Sequence, residues 1–116
     1  MTESYIYRLF LPEDWQGFQQ AGQFHGHADD KRDGFIHFSN AVQLRETAAR
    51  HYSGHSALVL AEMAVSAFGD ELKWEASRGG DLFPHLYAVL SMDAVTRVWD
   101  LKLDGKDTYD FPDFIP

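Results

Sequence analysis

The chain contains no cysteine, so a disulfide framework, a thiolate nucleophile and a thiolate metal site are all excluded. Positive charge is scarce: 10 Lys and Arg stand against 18 Asp and Glu, for a formal net charge of −8. Sequence-independent binding to nucleic acid or an anionic membrane needs clustered Lys and Arg, and is not expected of this balance. Long apolar runs are missing too. The longest, Ala57 to Ala61, falls far below the roughly 18 residues that a membrane-spanning helix requires. Met1-Thr2-Glu3-Ser4 carries neither a basic nor an apolar leader segment, which fits a soluble cytoplasmic protein. No P-loop, dinucleotide fingerprint, HExxH motif or nucleophile elbow occurs.

What is present is a single domain's worth of chain. Its 116 residues are 45% hydrophobic and 15% aromatic, enough to build a core without disulfides or metal. Ser4 to Phe10 alternates like a strand, and Pro12-Glu13-Asp14-Trp15 opens a helix that Gly22 can stop. Phe24 to Gly34 is polar and reads as a loop. Phe35 to Phe38 is a short strand, and Ser39 or Asn40 can cap a helix carrying Leu44, Ala48 and His51 or Tyr52 on one face. Strands are expected at Ala57–Met63, Leu72–Trp74, Leu86–Leu90 and Thr96–Leu103, with a turn at Ser77–Asp81. This order predicts an α+β domain over residues 1–103. The acidic, aromatic, Pro-punctuated segment 104–116 is expected to form a tail packed on the surface.

Four features carry candidate chemistry. In DGFIHFS, His37 offers an imidazole and Ser39 a hydroxyl to a cleft, although both also suit ordinary strand and cap positions. In LKWEASRGG, Trp74 offers a stacking surface, Glu75 an acceptor for ribose hydroxyls and Arg78 a fork for phosphate; a hairpin with a surface ion pair is the plainer reading. In DLFPHLY, His85 and Tyr87 share a strand face and can meet His37, or form part of a rigid turn. Metal binding by His25 and His27, with Asp29 and Asp30 nearby as oxygen donors, or by His51 and His55, lacks a third ligand at diagnostic spacing, so no metal site is assigned.

The set DGFIHFS, ETAARHY, LKWEASRGG and FPHLY, spaced over nearly the whole chain, resembles the small bacterial domain-of-unknown-function family 952. That resemblance implies a fold like that of ADP-ribosyltransferases, with split antiparallel sheets around a cleft and two helices near the N-terminal half. Ile36-His37-Phe38-Ser39, Arg50-His51 and Leu58-Val59-Leu60 are also similar to RNA 2′-phosphotransferases, which share that fold. The resemblance implies catalytic roles for Glu75 and His37 and ligand contacts from Arg8, Ser39, Arg50 and Arg78, to which the motif reading adds Trp74, His85 and Tyr87. The implied ligand is nucleotide-like, NAD or an ADP-ribose derivative. It would serve as substrate or ligand rather than as a required cofactor, with group transfer or hydrolysis at the nicotinamide ribose. A binding module that keeps the fold without the chemistry is the alternative. An acidic chain with few arginines suits one small phosphorylated ligand better than a tRNA.

Overall fold

A computed structural model describes residues 4–103 and 108–116, apart from the side chain of Arg78. Strand β1 (Tyr5–Phe10) pairs antiparallel with β4 (Ala57–Ala64), which pairs with β8 (Val95–Lys102), giving the order β1-β4-β8. A second antiparallel sheet has the order β3 (Ile36–His37), β6 (Leu82–Leu86), β5 (Leu72–Ala76). A separate two-stranded antiparallel ribbon pairs β2 (Gln23–Phe24) with β7 (Leu90–Ser91). Helices α1 (Pro12–Ala21), α2 (Ala28–Asp33) and α3 (Leu44–His51) complete an α+β domain. Among the described residues no helix is long and apolar enough to cross a membrane.

Both faces of the first sheet are covered, which explains why β4 reads as an almost unbroken apolar run. Ile6, Phe10, Val59, Ala61 and Met63 pack with Phe18 of α1, Phe24 of β2, and Ile36 and Leu86 of the second sheet. On the opposite face Tyr7, Leu9, Leu58 and Leu60 pack with Leu44 and Ala48 of α3. Tyr109, Phe111 and Ile115 lie in that second core too, so residues 108–116 supply core side chains as well as surface cover. The first four residues of the expected tail, 104–107, lie outside the described ones.

The buried Glu62 of β4 is a polar island in this sheet. Its carboxylate accepts from Tyr7 Oη at 3.0 Å, Thr96 Oγ1 at 2.7 Å and Arg97 at 2.9 and 2.8 Å. Burial, reinforced by the Glu62 bond, pushes the Tyr7 phenol up to about 12.

Two local expectations need correction. The stretch Phe24–Gly34 is not all loop: it contains the last residue of β2 and the whole of α2. The strand expected at Leu86–Leu90 is instead the end of β6 followed by β7, and the FPHLY segment is itself extended, with Pro84 opposite Trp74. Of the two caps expected before α3, Asn40 is the one used, accepting from Gln43 N–H at 2.9 Å.

Candidate functional site

A cavity of about 790 Å³ opens between the outer edge of β1, α2 with β3, α3 and the end of β6. Its lining includes five of the six histidines of the chain: His27, His37, His51, His55 and His85. Arg8, Arg32 and Arg50 contribute cations, and Asp29, Asp30 and Asp33 contribute anions. Tyr52 and Phe83 add aromatic surface.

The hub of the site is Asp30, a residue that pattern reading left among polar loop residues. It is 3% exposed. Its two oxygens accept from Arg8 Nη1 and Nη2, each at 2.8 Å, in a bidentate fork. They also accept from the backbone N–H groups of His27 at 2.6 Å and His37 at 2.9 Å, while His37 Nδ1 lies 2.8 Å away. Burial alone would raise the Asp30 pKa; the His37 bond, the Arg8 charge and the backbone donors outweigh it and hold the carboxyl far below the usual range. Gly26 permits this approach, because at φ +110° a Cβ there would stand 2.7 Å from Asp30 Cβ.

His27 and Asp30 occupy the N-cap and third positions of α2, so a helix with no apolar periodicity is held by its cap and by Arg8 on β1. Arg8 also donates to the His37 carbonyl at 2.9 Å and lies over the rings of Phe10 and Phe24. Both its terminal nitrogens are therefore engaged. Its Nε is buried and has no hydrogen-bond partner among the described residues.

His37 is clamped by carboxylates at both ring nitrogens, with Nε2 2.9 Å from Asp33 Oδ2. His85, paired in register with His37 across β3 and β6, lies with its ring centroid 5.5 Å from that of His37. Phe35 stacks on His85 at 4.0 Å and also contacts His37 and Tyr87. Glu75 Oε1 receives His85 Nδ1 at 2.8 Å and Tyr87 Oη at 2.7 Å, and these two bonds hold its carboxyl below its ordinary range despite desolvation.

The sequence-derived candidates therefore divide. Arg8, His37, Ser39, Arg50 and His85 line the cavity. Ser39 exchanges backbone hydrogen bonds with Tyr7, and its Oγ lies 3.1 Å from Thr47 Oγ1. Arg50 binds Glu46 at 3.1 Å on the exposed side of α3. Glu75 and Tyr87 stand behind His85 rather than in the lining, and Trp74 is an exposed residue of the edge strand β5. The side chain of Arg78 lies outside the described ones. Pattern reading weighed Asp30 only as a metal ligand and missed its place as the hub, and it missed Asp33, Thr47 and Tyr52 as lining residues. For Asp30 the available signal was the His27-x-x-Asp30 spacing of a capping box. Among the described residues no group of three or more His, Asp or Glu is arranged to hold a metal ion.

Asp30 and Glu62 are both buried carboxylates with lowered pKa values, and they predict an acid limb. A carboxyl with a lower pKa in the folded state stabilises the fold above its unfolded value, roughly 4, and that contribution is lost as pH falls through the folded pKa. Stability is therefore expected to fall as pH drops below about 4, and Asp30→Asn to flatten that fall. Urea midpoints measured from pH 6 down to 2 check this; an acid limb unchanged in the variant contradicts it.

The chain is 43% identical to protein CC0527 from Caulobacter crescentus, whose X-ray structure matches with a TM-score of 0.88 over 92% of this chain and 94% of that one. The solution NMR structure of CC0527 matches with a TM-score of 0.81 at 44% identity, over 90% of each chain. No curated protein matches. The family model described as a protein of unknown function, DUF952, matches residues 9–98. With that span and those neighbours, the chain belongs to the DUF952 family.

Proposed function

We propose that the cavity binds a small, phosphorylated, nucleotide-like ligand such as NAD or an ADP-ribose derivative. The observation that carries this reading is the concentration of five histidines and three arginines around one 790 Å³ cavity in a chain of net charge −8. The volume lies within the range of about 300–1,000 Å³ typical of small-molecule sites. Arg8 and Arg32 are matched by Asp30, Asp29 and Asp33, whereas the only side-chain partner of Arg50 among the described residues is Glu46. That exposed pair contributes little, so Arg50 can turn to a phosphate at small cost. Tyr52 and Phe83 offer apolar surface for a base or a nicotinamide ring. Two three-stranded antiparallel sheets packed on a shared core also support an ADP-ribosyltransferase-like reading of the fold.

One observation favours binding without transferase chemistry of the usual kind. Glu75, the acid on which that chemistry would rest, stands outside the lining, with one oxygen accepting from both His85 and Tyr87. Thermal-shift titrations with NAD, ADP-ribose and nicotinamide test the proposal. A ligand at 100 times its Kd contributes about 2.7 kcal/mol. NAD and ADP-ribose are expected to stabilise the fold more than nicotinamide, and Arg50→Gln to weaken both. No shift with either phosphorylated ligand at millimolar concentration would sink the reading.

A further inference from the structure

The two histidines that meet across β3 and β6 are not chemically equivalent. His37 has both ring nitrogens facing carboxylate oxygens, Asp30 at 2.8 Å and Asp33 at 2.9 Å, so it keeps no lone pair for a ligand. His85 has one nitrogen engaged. Its Nδ1 faces Glu75 Oε1 at 2.8 Å, and the same oxygen accepts the Tyr87 hydroxyl, so this edge of the ring meets an acceptor and must carry the N–H. Nε2 has no hydrogen-bond partner among the described residues, and it is not sealed in: the one sealed, unpartnered side-chain polar atom among them is Arg8 Nε. His85 lines the cavity while Glu75 does not, which leaves the Nε2 edge toward the cavity. Phe35, stacked 4.0 Å from the ring at 23°, fixes its plane.

We propose that His85 is the proton acceptor of the cavity, acting through Nε2, and that Glu75 is its positioning residue. Resting on the reading that the cavity binds a nucleotide-like ligand, this names the group that would act on it. The step is a proton transfer from a ligand hydroxyl, or from a water beside the ligand. The O–H bond breaks with its electron pair left on oxygen, the N–H bond forms at Nε2, and the Glu75 carboxylate balances the charge gained by the ring. The oxygen so exposed is a nucleophile. Tyr87 serves by holding Glu75.

The test is histidine tautomer assignment by long-range ¹H–¹⁵N NMR on the unliganded full chain at about pH 8.5, where an ordinary imidazole is neutral. The expected result is a His85 ring that carries its proton on Nδ1 and shows an unprotonated Nε2. In Glu75→Ala the proton is expected to move to Nε2, the tautomer preferred by a free imidazole, and in Glu75→Gln, which keeps an acceptor oxygen, to remain on Nδ1. Finding the wild-type proton on Nε2 would overturn the proposal without any variant needing to fold. Adding ADP-ribose gives a separate readout. Binding that moves the His85 Nε2 resonance supports contact with the ligand, and binding that leaves it unmoved overturns that contact. Absence of binding overturns the nucleotide reading instead, and the tautomer still decides the acceptor.

Discussion

Asp30→Asn is expected to lower the unfolding free energy by about 3–5 kcal/mol, because it leaves the guanidinium of Arg8 buried without its counter-charge. Arg8 is 6% exposed, and its terminal nitrogens donate to Asp30 and one backbone carbonyl. The substitution keeps the shape of the side chain and removes the charge, so the loss reports electrostatics rather than packing. For a domain of this size the corresponding fall in Tm is roughly 10–20 °C. The double variant Arg8→Met, Asp30→Asn is expected to recover part of that loss, since it removes the unpaired buried charge and keeps an acceptor oxygen for the backbone N–H groups of His27 and His37. Urea unfolding of the three chains decides the matter. A loss below about 1 kcal/mol in Asp30→Asn would contradict the central place of this pair.

A chain ending at Leu103 is expected to lose its cooperative unfolding transition altogether. Three of the side chains it lacks, Tyr109, Phe111 and Ile115, are each at most 7% exposed. Burying each contributes about 1.5–3 kcal/mol, a total comparable with the roughly 5–15 kcal/mol that holds a whole domain. The segment also ties the cavity wall. The Tyr109 hydroxyl shares its one proton between the carbonyls of Tyr52 (2.5 Å) and His55 (2.8 Å), two residues of the lining, and Arg45 of α3 donates to the carbonyls of Ile115 and Pro116. Near-UV circular dichroism of the shortened chain is expected to show no fixed aromatic environment. A transition near that of the full chain would refute this. The point variant Phe111→Ala, expected to cost about 3–5 kcal/mol, gives a graded version of the same test.

The parts of the fold legible in advance are those whose signals are local. The alternation of Ser4 to Phe10, the Pro12 start and Gly22 stop of α1, and the apolar run of β4 each announce their own structure, and each lies close to where it was expected. Helix α2 carries no such signal. Its six residues, ADDKRD, are polar apart from Ala28, and what holds them is the His27–Asp30 cap together with an arginine 22 positions earlier. The packing of the last nine residues lay beyond local signals for a related reason. Prolines and acids mark a surface segment, whereas the apolar residues between them reach into a core that only tertiary contact defines. The site shows the same divide. His37, Ser39 and His85 come from compact motifs and line the cavity, but Trp74 and Glu75 share the LKWEASRGG motif with no indication that it runs along the sheet edge. Their functional look came from residue type, and residue type does not say which way an edge strand faces.

The cavity walls come from segments that meet only when the fold is complete. Arg8 belongs to the first strand and finds its counter-charge in α2, while the strand itself hydrogen-bonds to β4, half the chain away. The Tyr52 hydroxyl reaches back to the carbonyl of Leu9, and residues beyond position 108 hold Tyr52 from behind. No single flap or hairpin owns the site, so it cannot open without breaking contacts across the domain. Occupancy of the cavity should therefore slow amide hydrogen exchange throughout both sheets together, since the molecule that fills it is bound by the folded state as a whole.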